Sequence, residues 1–481
     1  MQESKERIRS SIRNSGAVFP QTRKVVNLAP AQIKKQGVLF DLPIAASILV
    51  ASGQLAPARL KDSIIIGELS LDGSIRPVNG VLPITQYAKE SGFKKIILPE
   101  ENAAEAKFIE DIEIYPVKNL RQFMEFISGR ERINKLAVSG FDFAKSANTK
   151  GSASVQENLF SRLIGLFKAK RALTIAAAGH HNILFYGSPG CGKTVLARCI
   201  KNILTEMDKE EAMECTKIYS IAGLLQKENP IINSRPFREV HHTASTVSVV
   251  GGGGHNPKPG EITLAHNGVL FLDEIAEFNK DALEALRQPL EDKRININRS
   301  NFSVNFPCDF MLLATMNPCP CGYKGDKKVT CICTDQQIKN YQKKISGPLL
   351  DRFDIFLEVE KSSIEKMFEN GAEEENIRKF KQTKELIEQA AAAQKERFCM
   401  AESGGKSVRR NADMEIKEIK KHCRIDGDSK DILNKASENL QISNRGYLRT
   451  LRLARTIADM EKSESIKINH IMEALQYRIK F

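Results

Sequence analysis

No apolar stretch in this 481-residue chain approaches the roughly eighteen residues that a membrane-crossing helix requires. The opening segment, Met1 to Arg7, is charged and helical and lacks the apolar core of a signal peptide. Membrane-spanning and exported classes are therefore set aside, and a cytoplasmic location without a membrane partner is expected. Internal repeats and low-complexity tracts do not stand out either, so the chain reads as about two to four folded domains. Its 41% hydrophobic and 27% charged residues are ordinary for such domains. Lysine and arginine number 72 against 59 acidic residues, a net charge of +13 that permits a polyanionic partner without establishing one. Six of the ten cysteines are scattered, as buried thiols in a reducing compartment are.

What the chain does have is Gly187-Ser188-Pro189-Gly190-Cys191-Gly192-Lys193-Thr194. This fits the G-x-x-x-x-G-K-[ST] loop that wraps nucleotide phosphates. The apolar run Asn182-Ile-Leu-Phe-Tyr186 leads in as a buried strand. Leu196, Cys199, Ile200, Ile203, Leu204 and Met207 follow at helical spacing. Glycines let successive N–H groups face the phosphates, and the helix N-terminus adds partial positive charge. Lys193 is expected to reach the β- and γ-phosphates of ATP, and the Thr194 hydroxyl to ligate Mg²⁺.

Residues 1–130 mix short strands (Lys24–Leu28, Ser63–Ile66, Lys95–Leu98) with helices such as Asp41–Ala51. Residues 131–157 read as a Ser-, Lys-, Asn- and Gly-rich linker. Strand and helix alternate over 158–360, which predicts a parallel α/β sheet, and 361–481 is almost wholly helical. Within the third region, Gly268-Val-Leu-Phe-Leu-Asp-Glu274 is a buried strand whose tip carries two carboxylates. Asp273 can hold Mg²⁺ through water while Glu274 polarises an attacking water. A further strand, Asp309 to Asn317, ends in an amide that can orient water or sense the γ-phosphate, or simply turn the chain before Pro318.

These segments are joined by Arg235-Pro-Phe-Arg238, His241-His-Thr-Ala-Ser245, Pro259 to Glu274, Leu286-Arg-Gln-Pro-Leu-Glu291, Met316 to Gly322, Gly347 to Asp354, Ala454 to Asp459 and His470 to Arg478. Together they resemble the magnesium-chelatase-like AAA+ ATPases of the YifB/ComM family. The resemblance implies a P-loop AAA+ α/β core with a C-terminal helical lid. It assigns Lys193 and Thr194 to Walker A, Asp273 and Glu274 to Walker B, and Asn317 to the first sensor. Arg352 matches an arginine finger that reaches a neighbouring subunit, and Arg445 resembles the second sensor, with Arg449 as runner-up. A trans arginine implies a ring, and the family implies a homo-hexamer. Relatives carry Gly-Gln near Ile164-Gly165-Leu166, and Leu166 replaces that glutamine. Adenine contacts there would rest on backbone and apolar packing.

Lys35 to Ile44, Gly67 to Gly80 and Ile97 to Asn102 resemble the Lon-protease-like (ribosomal S5-like) α+β domain of the same family. Leu39 and Leu82 align with its Ser–Lys dyad, and neither can attack or take a proton. Relatives begin upstream of the helix that opens here, so an incomplete domain with an exposed sheet edge is expected.

Cys319-Pro-Cys321 and Cys331-Ile-Cys333 supply four thiolates to one loop, enough for a structural Zn²⁺, although C-x-C is tighter than the usual pair spacing. The run Thr246–Val250 with the glycines after it reads either as a flexible linker or as a hairpin pairing with Glu261–Leu264 across a glycine tip, and Arg294–Asn298 with Phe302–Phe306 is a second hairpin candidate. In this family such hairpins resemble pore elements, where Lys258, Arg294 and Arg299 would meet a phosphate backbone. The favoured function is an ATP-hydrolysing ring motor on branched or single-stranded DNA, a helicase or branch-migration factor in recombination or natural transformation. The alternatives are a chelatase-type ATPase remodelling a protein partner and a nucleotide-gated scaffold without turnover.

Overall fold

The computed structural model describes all residues except 1, 30–37, 137–158, 163–164, 227, 254–256, 300–301, 327, 361–371, 400–407, 440–441 and 479–481. Two helices, α1 (Gln2–Asn14) and α2 (Asp41–Ala51), pack together beside a parallel sheet of β1 (Ser63–Ile65), β2 (Lys95–Pro99) and β3 (Glu113–Val117), in the order β1-β2-β3. Leu42, Leu49, Ile97, Val117 and Phe123 form the core of this unit. The helix expected over Asp41–Ala51 is found with those bounds. The strand expected over Lys24–Leu28 is not. That segment is irregular, with Val25 and Val26 exposed and Lys24 turned over the Phe19 ring, so no partner strand satisfies its backbone. The start of the expected linker also differs. Ile133 packs on the first core and Leu136 N–H donates to Ile114 O at 3.1 Å, so apolar side chains hold it down; residues 137–158 lie outside the described residues.

The second unit is built on five short strands: β4 (Ile183–Tyr186), β5 (Phe237–Val240), β6 (Val269–Leu272), β9 (Met311–Met316) and β10 (Ile355–Glu358). Between β6 and β9 a hairpin of β7 (Arg294–Arg299) and β8 (Phe302–Pro307) is inserted. The sheet order is β10-β4-β9-β6-β5 and every pairing is parallel. Alternation along each strand feeds two cores. Ile183, Phe185, Phe271, Leu313 and Ile355 face one side, and Leu184, Leu270, Leu312 and Phe356 the other.

Helices α3 (Phe167–Gly179) and α4 (Lys193–Arg198) cover the first face, and α5 (Lys209–Ala222) meets the N-terminal unit. There Gly80 N–H donates to Ser220 O at 3.1 Å, and the buried Glu105 carboxylate accepts from Leu82 N–H and the Ser220 hydroxyl. The C-terminal helices α6 (Ala372–Cys399), α7 (Asn444–Met460) and α8 (Ile468–Gln476) share the first core through Ile387, Leu453, Ile457 and Ile471.

The β7–β8 hairpin pairs as expected, from Arg294 opposite Pro307 to Arg299 opposite Phe302. Ile295 and Ile297 turn inward while Arg294 is exposed; the side chain of Arg299 lies outside the described residues. The upstream hairpin needs correction. Thr246–Val250 and Glu261–Leu264 are both helical, and only Gly251–Gly252 pairs with Lys258–Pro259. The Ser245 side chain caps the first helix by accepting from Ser248 N–H, and Val249, Ile262 and Leu264 are buried. Capping and tertiary burial override the strand preference of a valine run.

Just before β10, Asp354 joins the five-stranded sheet to the C-terminal helices. Its buried carboxylate accepts from Asn182 N–H at 3.0 Å and pairs with Arg449 of α7 at 2.5 Å, with His181 3.5 Å away. Burial alone would raise its pKa, but Arg449 and His181 outweigh that and hold it well below the usual carboxylate range. Because the folded value is depressed, this stabilisation is present above about pH 4 and lost as pH falls below it. Asp354→Asn leaves the largely covered Arg449 without its counter-charge and is expected to cost about 3 kcal/mol. In thermal unfolding the gap between wild type and variant should be constant from pH 6 to 8 and close in acid. A gap that widens in acid would refute this account.

Candidate active site

The phosphate-binding pattern occupies the turn between β4 and α4. A Cβ on Gly187 would lie 2.4 Å from Val359 O, so only glycine admits this path of the chain. The buried Lys193 ammonium donates to Gly187 O at 2.7 Å, Ser188 O at 3.0 Å and Asn317 Oδ1 at 3.1 Å. Burial lowers its pKa, with Cys191, Asp273 and Glu274 opposing the shift. Thr194 Oγ1 stands 3.1 and 3.2 Å from the two Asp273 carboxylate oxygens. Oxygens in adjacent positions around an octahedral Mg²⁺ are about 3 Å apart, so Thr194 and Asp273 fit one such ion.

Strand order explains the assembly. β9 lies between the strand that carries the phosphate loop and the strand that carries the acidic pair. All three point the same way, so Lys193, Asp273, Glu274 and Asn317 gather where the strands end, the usual ligand crevice of a parallel sheet. Asn317 Nδ2 makes a long 3.5 Å contact to Glu274 Oε1, which places the amide between Lys193 and Glu274. Glu274 is itself exposed and holds φ of 53°, a left-handed conformation that costs of order 1 kcal/mol for a non-glycine residue. Leu166, also left-handed at 52°, lies near Gly192, whose Cβ would come 3.9 Å from Leu166 Cδ1. An apolar side chain therefore stands beside the phosphate loop.

Thr315 was not visible as a site residue. Its hydroxyl donates to Asp273 Oδ1 and accepts from Glu274 N–H at 2.9 Å. The available signal was a hydroxyl two residues before Asn317, inside an otherwise apolar strand.

Arg352 and Arg445 are not brought to this cluster. Arg352 is buried and tied to Glu291 at 2.7 Å, Arg287 O at 3.0 Å and Pro348 O at 2.6 Å. The more exposed Arg445 reaches the same Glu291 carboxylate oxygen at 3.2 Å. The Arg352 carbonyl accepts from Asn182 Nδ2, just before β4 begins, whereas the phosphate loop follows where β4 ends. At 3.3 Å per residue, this four-residue strand separates the two places by about 13 Å. Arg449 is committed to Asp354 and to Arg352 O, which argues for Arg445 over Arg449 as the available guanidinium. Glu291, which gathers both arginines, was likewise missed.

The four loop cysteines converge. Cys319, Cys321 and Cys331 sulfurs lie 3.4 to 3.7 Å apart, and all four ligand atoms fall within 4.8 Å of one another.

Among known proteins, the family described as magnesium chelatase, subunit ChlI, matches residues 159–367. Its companions match 1–102 (subunit ChlI of Mg-chelatase) and 378–478 (ChlI C-terminal). The chain is 40% identical over 484 residues to the competence protein ComM of Haemophilus influenzae, covering 99% of this chain and 90% of that one. It is 36% identical over 481 residues to the YifB protein of Escherichia coli, covering 99% and 89%. A shorter match, 29% identical over 160 residues, links it to Lon protease 2 of Bacillus subtilis, covering 32% and 28%.

Replacing Thr315 with valine removes both bonds to the acidic pair at nearly constant volume. Each is worth about 1 kcal/mol, so with both lost the Mg²⁺ concentration for half-maximal binding of a fluorescent ATP analogue should rise about thirtyfold. An unchanged magnesium dependence would reduce Thr315 to strand packing.

Proposed function

Since the chain belongs to the YifB/ComM family of magnesium-chelatase-like AAA+ ATPases, we propose that it is an ATP-hydrolysing ring motor that acts on DNA. The observation that carries the ATPase half is the convergence of Lys193, Thr194, Asp273, Glu274 and Asn317 at the ends of three adjacent parallel strands. On this reading the loop N–H groups and Lys193 bind the β- and γ-phosphates, and Glu274 polarises the attacking water. Asn317 holds that water in register between Lys193 and Glu274. Thr194 and Asp273 hold Mg²⁺, which neutralises phosphate charge when bound.

The guanidinium that stabilises charge on the γ-phosphoryl oxygens comes from the next subunit. Arg352 and Arg445 stand together at the opposite end of the sheet, held by Glu291. A site built this way is completed only in an oligomer, for which we propose a homo-hexamer.

The DNA half rests on net charge and on hairpins. The chain carries +13, and the exposed Lys258 and Arg294 lie on the two hairpins between β5 and β9. We place a phosphate backbone there, as in a helicase or branch-migration factor. The second reading, an ATPase that remodels a protein partner, uses the same catalytic cluster. The four-cysteine loop is proposed to hold a structural Zn²⁺.

Two measurements test these parts separately. Forked or branched DNA should stimulate phosphate release, and the protein–DNA affinity should fall steeply with added salt. No stimulation and no salt-sensitive binding would remove the DNA reading in favour of a protein partner. Arg352→Ala and Lys193→Ala should each lose about 10³-fold in turnover alone. Mixed, they should recover activity at junctions where an intact Lys193 site meets an intact Arg352. Normal hydrolysis by Arg352→Ala alone would show that the finger lies elsewhere.

A further inference from the structure

The cysteine loop and the phosphate loop touch. Gly322, at φ of +84°, lies so close to the phosphate loop that a Cβ there would come 2.6 and 2.7 Å from Pro189 Cγ and Cδ. The same Cβ would be 4.0 Å from Asn317 Cγ. Cys319, two residues beyond Asn317, is completely buried. One short segment therefore contacts the phosphate loop through Pro189 and the sensor amide through Asn317.

Pro318, Cys319 and Gly322 are buried, whereas the described residues from Lys328 to Thr330 are exposed. From Pro318 to Thr334 the described residues form no helix or strand, and Ile332 is 85% exposed, so no apolar core anchors the outer half of the loop. The thiols are arranged for a metal. A tetrahedron of sulfurs 2.3 Å from Zn²⁺ has edges of about 3.8 Å. The observed separations among Cys319, Cys321 and Cys331 are 3.4, 3.6 and 3.7 Å. Backbone N–H groups already point at two of the sulfurs: Cys321 N–H at Cys333 Sγ and Lys324 N–H at Cys319 Sγ, both at 3.4 Å. Such donors stabilise bound thiolates and fix their directions.

We propose that Zn²⁺ on Cys319, Cys321, Cys331 and Cys333 clamps Gly322 against Pro189, so that metal occupancy sets how well the phosphate loop and Asn317 are organised for nucleotide. This rests on the nucleotide reading of the site above and extends it to control by a second ligand. Metal binding supplies the ordering free energy that the loop's own packing lacks. Without the metal, the clamped arrangement is one of many open to the loop, and apparent nucleotide affinity falls by the fraction of molecules that retain it.

The experiment uses the full chain. Mass spectrometry of metal content should find one zinc per chain. Cys331→Ser should lose the metal and bind a fluorescent ADP analogue about tenfold more weakly, as expected if a tenth of molecules keep the clamped loop. Gly322→Ala addresses the contact without touching a ligand. It should keep its zinc yet bind the analogue more weakly, because its Cβ pushes Pro189 aside. A wild-type chain without zinc would overturn the proposal. So would zinc-free Cys331→Ser with nucleotide affinity within twofold of wild type, or Gly322→Ala with unchanged affinity. A zinc-loaded wild type that binds no nucleotide would instead refute the reading of the active site.

Discussion

The ion pair between Asp354 and Arg449 is the joint on which the arrangement turns. A carboxylate this deeply buried is stable only with a fixed counter-charge, and Arg449 supplies it from α7. The same guanidinium donates to Arg352 O, and Arg478 donates to Phe353 O at 2.8 Å. Residues 352–354 are thereby held between the strands on one side and the C-terminal helices on the other. The backbone of Arg352 is thus fixed by helix docking, while its guanidinium is held by Glu291, Arg287 O and Pro348 O. Arg445, one turn before Arg449 on α7, follows from the same contact.

A second set of partly buried charges connects the β7–β8 hairpin to the segment between α6 and α7. Lys293, at the foot of the hairpin, pairs with Asp413 at 2.5 Å and Asp309 at 3.3 Å. Arg410 meets Glu211 of α5 at 2.7 Å, and Glu211 also holds Arg235 at 2.7 Å. Burial would raise the Asp309 pKa, but Lys293 and Arg410 reverse the sign and keep it well below the usual range. Five segments thus share one network in which Lys293, Asp309 and Glu211 each meet two groups of opposite charge. Such networks add little net stability but specify one arrangement among competing ones. On the proposal that the hairpin meets DNA, its base is tied through Asp413 to the segment that leads into the C-terminal helices.

The legible parts of the fold were those set by local pattern. Gly187 to Thr194, the strand ending in Asp273-Glu274 and the hairpin from Arg294 to Phe306 each combine a periodic apolar run with a marked turn. These found their places because burial and turn chemistry point the same way. Thr246–Val250 was misread because β-branched residues favour strands, while the Ser245 cap and the burial of Val249 decided for a helix. Lys24–Leu28 failed for a different reason: among the described residues its valines have no neighbouring strand to pair with. Thr315 and Glu291 were hidden because their roles depend on strand order and on helix docking, neither of which is written within a few residues of them.

The separation of the two arginines from the phosphate loop also constrains how copies assemble. The nucleotide cluster lies where the parallel strands end, and the arginine pair lies where they begin. A two-fold dimer presents one self-complementary patch, so a single contact would have to contain both ends of the sheet at once. Strands of four residues, about 13 Å long, flanked by helices leave the two faces pointing apart. If Arg352 and Arg445 act in a neighbour's site, the contact must therefore be head-to-tail. A repeated head-to-tail contact closes into a ring or runs on as a filament. Closure further requires the angle between copies to be fixed, and the bonds of Arg352 to Glu291, Arg287 O and Pro348 O tie the arginine face to the same strand-bearing unit that carries the other face.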